Sequence, residues 1–156
     1  MILEAIQAKK VTPANSEPFC REQREMLLLL LAQIDRLPDG LDQLEHIAFF
    51  WSDILAGIPV AGIFRPAYPA TIYIGAHLRD KVLDDDNSIM KMCTPTIYHE
   101  ITHLAQHQRM GWRYHLAAVP GIREIALEAE ARAMERYAAG CLGLRTYWYT
   151  DETERN

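Results

Sequence analysis

Cysteine is scarce in this chain. Cys20, Cys93 and Cys141 are odd in number, far apart and without C-x-x-C spacing. That distribution fits free thiols in a reducing compartment and argues against a disulfide scaffold or a thiolate zinc cluster. Long apolar runs are missing too. The stretch Met26 to Ala32 spans seven residues, with Glu25 before it and Asp35 after it, against the ~20 residues needed to cross a bilayer. Met1 to Lys10 carries its lysines after its apolar residues and has no apolar core of a secretory signal. Positive charge is in deficit, since 16 Lys and Arg stand against 21 Asp and Glu for a net charge of −5. With no dense basic cluster to offset it, neither a nucleic-acid surface nor a membrane partner is expected. No repeat, low-complexity tract or linker divides the chain. The expectation is a single cytoplasmic domain over residues 1–156, long enough to bury a core without staples.

Hydrophobic spacing predicts two amphipathic helices first. Ser16 and Pro18 read as a helix start, and Met26, Leu27, Leu30, Ile34 and Leu37 recur at helical spacing until Pro38-Asp39-Gly40. Leu41, Leu44, Ile47, Ala48, Trp51, Ile54 and Leu55 repeat the pattern before Gly57. From Val60 to Ala76 the character becomes aromatic and β-branched, with Pro66 and Pro69 separating Ile63-Phe64 from the better strand, Thr71-Ile72-Tyr73-Ile74. Asp84-Asp85-Asp86 lacks the glycine and downstream glutamate of a calcium loop and reads as a solvated loop. A last helix is expected from about Ile122 to Ala139, followed by an aromatic segment, Tyr147-Trp148-Tyr149, and an acidic tail.

Between these lies His99-Glu100-Ile101-Thr102-His103. On a helix, residues four apart stand one above the other, so both imidazoles project from one face and can share a metal ion. Glu100 sits about 100° round, where it reaches a metal-bound water without ligating the metal, as a general base must. Pro95 suits the first turn of such a helix, Thr94 or Thr96 could cap it, and Gly111 follows at its end. Ile97, Ile101, Leu104 and Ala105 supply an apolar stripe on the opposite side. His107 stacks a turn beyond His103 and reads as solvent-facing, because three collinear donors on one straight helix cannot reach one tetrahedral centre. His115, Tyr114, Tyr137 and Tyr147 are open candidates for donating to an oxyanion. His46 and His77 read as structural.

A catalytic zinc takes three protein ligands and keeps a fourth position for water. Gln106 and Arg109 stand where a metzincin places Gly and His, and Cys93 lies too close to act as the upstream thiolate of a deformylase. A carboxylate from the next helix remains. Leu127-Glu128-Ala129-Glu130-Ala131-Arg132 offers two, pointing about 200° apart, so that only one can ligate. Local surroundings favour Glu130, which Ala126, Leu127, Ala133, Met134 and Tyr137 place on an apolar face.

The order H-E-x-x-H followed by E-x-E-A resembles the gluzincin metallopeptidases, especially small bacterial domains reading H-E-L-x-H-x-x-Q, with Gln106 in the matching place. The resemblance covers about Thr94 to Tyr137. It implies Glu128 as the third ligand, with Ala131 allowing close helix approach, and Arg132 stands where those relatives often carry an Asp that orients a histidine. Taken together it implies an α+β, zincin-like minimal domain, mostly helical with a small antiparallel or mixed sheet ending in an edge strand near Thr71 to Ile74. His99, His103 and Glu128 would hold Zn²⁺, Glu100 would act as general base, and the substrate would be a peptide or protein. The alternative expectation is a zinc- or peptide-binding module without catalysis, within a phage or toxin-associated assembly.

Overall fold

A computed structural model describes residues 10–38, 44–57, 62–66, 70–81, 88–114 and 122–144. Asp84 to Asp86, His115 and Tyr147 to Tyr149 lie outside them. Strand β1 (Ser16–Pro18) precedes helix α1 (Arg21–Ala32), strands β2 (Ala48–Ser52), β3 (Gly62–Arg65) and β4 (Thr71–Gly75), and helices α2 (Ser88–Met110) and α3 (Ile122–Cys141). The chain is α+β, with a mixed four-stranded sheet in the order β1-β2-β4-β3. β1 is antiparallel to β2, β2 parallel to β4, and β3 antiparallel to β4.

Three expectations are corrected here. Ser16 and Pro18 belong to β1, and the helix starts after Cys20, whose backbone N–H donates to Gln23 Oε1 at 2.9 Å. Residues 48–52 form a strand, not part of a second helix, because Phe49 and Trp51 also satisfy a period of two and point together into the core. Thr71 to Ile74 is an inner strand, buried along its whole length between β2 and β3. The edge beside the helices is β3, whose weak apolar pattern matches the single covered face of an edge.

Alternation along the strands sorts the sheet into two faces. Phe49, Trp51, Ile72 and Ile74 meet Leu27, Leu31, Ile97 and Ile101 in the main core, so the helices cover one face of the sheet. Tyr73 points to the other, where Val11 and Leu55 bury it. Helix α2 begins seven residues before Pro95, which therefore lies inside the helix and not in its first turn. Proline cannot donate to the carbonyl one turn back, a defect that usually kinks or ends a helix. Buried neighbours on both sides, Cys93, Thr94, Thr96 and Ile97, hold the helix through it, and the Thr94 hydroxyl donates back to the Met90 carbonyl at 2.7 Å. Gly111 ends α2 with φ +60°, its N–H bonding the His107 carbonyl at 2.8 Å. No helix among the described residues is long and apolar enough to cross a membrane.

All three cysteines are free thiols. Cys93 is buried in the core and its thiol is pushed up to about 12 by that burial, whereas Cys20 is exposed. A thiol reagent is expected to modify Cys20 promptly in the native protein and Cys93 only after unfolding. Equal rates at the two positions would contradict this packing.

Candidate metal centre

Helix α3 runs against α2, and its first half supplies what the two histidines lack. His99 and His103 are both buried, and their Nε2 atoms lie 3.1 Å apart. Glu128 Oε1 stands 2.7 Å from His103 Nε2, and its Oε2 stands 3.4 Å from His99 Nε2. Among the described residues these three bring their ligand atoms within 4.8 Å of one another. Two nitrogens held about 2.0–2.1 Å from zinc at a tetrahedral angle would be roughly 3.3 Å apart. The donor spacing therefore fits one such ion without rearrangement of either helix.

The donor chemistry points the same way. Gln106 is fully buried and directs its amide NH₂ to the Leu127 carbonyl and to Glu130, each at 3.0 Å. Its oxygen then faces His103 Nδ1 at 2.9 Å and must accept from an Nδ1–H, which leaves the lone pair on Nε2. Two converging imidazole nitrogens and a carboxylate, all acceptors, suit a cation. Burial lowers the pKa of both histidines, but the hydrogen bonds to Glu128 and the charge of Glu100 more than offset this and raise them. Burial raises Glu128, and the same two histidines outweigh that and hold it well below the ordinary carboxylate range.

Glu100 is placed differently. It is not one of the converging donors, and its side chain lies beneath β3, where a Cβ on Gly62 would come within 2.9 Å of Glu100 Cγ. Only glycine at that point lets the strand approach the carboxylate so closely. Burial raises the pKa of Glu100 against the opposing pull of His99 and His103. Two residues along the same face of β3, the Phe64 ring stacks on His103 with centroids 5.7 Å apart. Tyr114 meets Phe64 edge-on at 5.9 Å and His107 at 5.5 Å. Burial and the nearby charges of Glu100 and Glu128 drive its phenol well above the ordinary tyrosine value, so it remains a protonated donor.

Compared with protein-family models, with the curated proteins and with solved structures, the chain matches none. The reading of the site therefore rests on its geometry. Glu130, the other carboxylate considered for the metal, turns instead to Arg109, with a 3.1 Å contact to Nη2. Arg132 stands 4.0 Å from Glu128 Oε2. His107 is not among the converging donors, and the Tyr137 hydroxyl donates to Asp35. His77 accepts the Gly57 N–H at 3.1 Å, and His46 is exposed in a short 3₁₀ turn.

Sequence reasoning missed Glu135. Only 2% exposed, it lies 3.7 Å from His99 Nδ1 through Oε1, and burial pushes its carboxyl up to about 7. The signal was available, because Glu135 shares the apolar stripe of Ala131, Met134 and Ala138 two turns beyond Glu128, where an unpaired carboxylate is costly.

Proposed function

We propose that this protein is a zinc-dependent hydrolase of peptide bonds. One observation carries the reading: three lone-pair donors converge from two helices while a second carboxylate, Glu100, lies beside them under Gly62 and not among them. A purely structural ion has no use for that extra base, whereas hydrolysis does. His99, His103 and Glu128 would hold the ion, which when bound polarises a carbonyl and lowers the pKa of water to about 7. Glu100, already drawn toward protonation by its surroundings, takes the proton from the attacking water and passes it to the leaving amine. Tyr114, kept protonated by burial and by the charges of Glu100 and Glu128, would supply a donor for charge developing on the carbonyl oxygen.

Peptide is favoured over other acyl substrates by β3. This strand pairs with β4 on one side, and its outer edge has no strand partner among the described residues. An extended peptide can add there, with its backbone placed along the helix that carries Glu100.

Protein isolated without chelator is expected to hold about one zinc per chain and to cleave a mixed-peptide library, with cleavage lost to chelator and restored by Zn²⁺. No zinc on elemental analysis, with no thermal shift on adding it, would sink the metal reading. Tight zinc without cleavage would leave a binding module.

A further inference from the structure

The two histidines are supported from behind in unequal ways. His103 Nδ1 has the neutral amide oxygen of Gln106 at 2.9 Å. Among the described residues His99 Nδ1 has no hydrogen-bond partner, and neither does the Oε1 of Glu135, 3.7 Å away. Two buried polar atoms left unpaired while facing each other are rare in a folded protein, since each has given up water without gaining a partner. At 3.7 Å they are just beyond hydrogen-bond reach.

Resting on the metal reading above, we propose that Glu135 is the positioning residue for His99: in the zinc-loaded protein its carboxylate accepts the His99 Nδ1–H, fixing the tautomer and aiming Nε2 at the ion. Three features support this. Glu135 meets the nitrogen on the far side of the ring from the converging donors, so it acts behind the ligand and is not itself one of them. The seven-residue step from Glu128 is close to two helical turns, which puts both carboxylates on the α3 face that meets α2. Position 132, one turn after Glu128, is an arginine 4.0 Å from Glu128 Oε2, a side chain with donors alone and no acceptor to offer His99. The result is an asymmetric pair, with one imidazole backed by an amide and the other by a carboxylate, the latter making its ring the more basic ligand.

The test compares wild type, Glu135→Gln and Glu135→Leu for zinc affinity by chelator competition and for the imidazole ¹H–¹⁵N signals of the zinc-loaded proteins. Wild type is measured first, and failure to bind zinc there would defeat the metal reading itself. Given binding, Glu135→Leu is expected to weaken zinc about 10–100-fold and to remove the downfield shift of the His99 Nδ1–H, leaving that of His103 in place. Glu135→Gln keeps an acceptor and should recover most of the loss. Thermal stability of the metal-free Glu135→Leu protein should equal or exceed that of wild type, because a buried unpaired carboxyl has been removed. Unchanged affinity and an unchanged His99 signal in Glu135→Leu would overturn the proposal. So would a metal-free protein that loses stability in proportion to its lost affinity, the mark of a packing role alone.

Discussion

Glu100→Gln is expected to retain zinc and lose about 10²–10⁴-fold in kcat, the range associated with a missing general base and equivalent to about 3–5 kcal/mol of transition-state stabilisation. The amide keeps the shape of the carboxylate, which matters here because Gly62 packs closely against that side chain. A change in packing is therefore not what the experiment reads. Gln cannot accept a proton, and none of the three converging donors is disturbed, so zinc affinity should stay within a few-fold of wild type. Steady-state kinetics on a peptide found in the library digest, with zinc content measured on the same samples, separates the two quantities. A Glu100→Gln protein that cleaves as fast as wild type would remove Glu100 from the chemistry.

Glu128→Ala should have the largest effect on metal binding. It deletes one of three donors and leaves His99 and His103, with their nitrogens 3.1 Å apart, as the remaining pair with no carboxylate converging on them. Zinc affinity is expected to fall by more than the ~10–100-fold that follows loss of a supporting contact. Glu130→Ala should differ sharply. Its carboxylate pairs with Arg109, both groups being more than a third exposed, and such pairs contribute about 0–1 kcal/mol to stability. Because Gln106 keeps its bond to the Leu127 carbonyl, the loss in zinc affinity should stay within about tenfold. Competition with a chromogenic chelator measures both variants. If Glu130→Ala proves the more damaging, the roles of the two glutamates have been exchanged.

How far this site could be read from the chain follows from which interactions are local. His99, Glu100 and His103 share one helical turn, so their relative directions follow from helix geometry alone. The choice between Glu128 and Glu130 depends on which face of α3 meets α2, and the apolar neighbours of Glu130 were a poor guide because Arg109 reaches it from another element. Glu135 was passed over for the same reason, since its partner is 36 residues distant in the chain. In the fold, residues 48–52 show the limit of periodicity: Ile47, Ala48 and Trp51 fit a helix, yet the aromatic run pairs in register with β4, Phe49 opposite Ile72 and Trp51 opposite Ile74. Long-range strand pairing decided that segment, as it did the inner position of β4.

Gln106 uses one side-chain amide to hold the His103 ring and to fasten two helices together, with His103 on one side and Leu127 and Glu130 on the other. A slip of α3 along α2 by one turn, about 5.4 Å, would withdraw Glu128 and release the His103 ring in the same movement. Were the proposed zinc bound, its capture and the docking of α3 on α2 would be one thermodynamic event, and the free energy of the first would reinforce the second. Zinc at a hundred times its dissociation constant would raise the unfolding free energy by about 2.7 kcal/mol, so the zinc supply of its surroundings would set how long this protein survives as well as how fast it works.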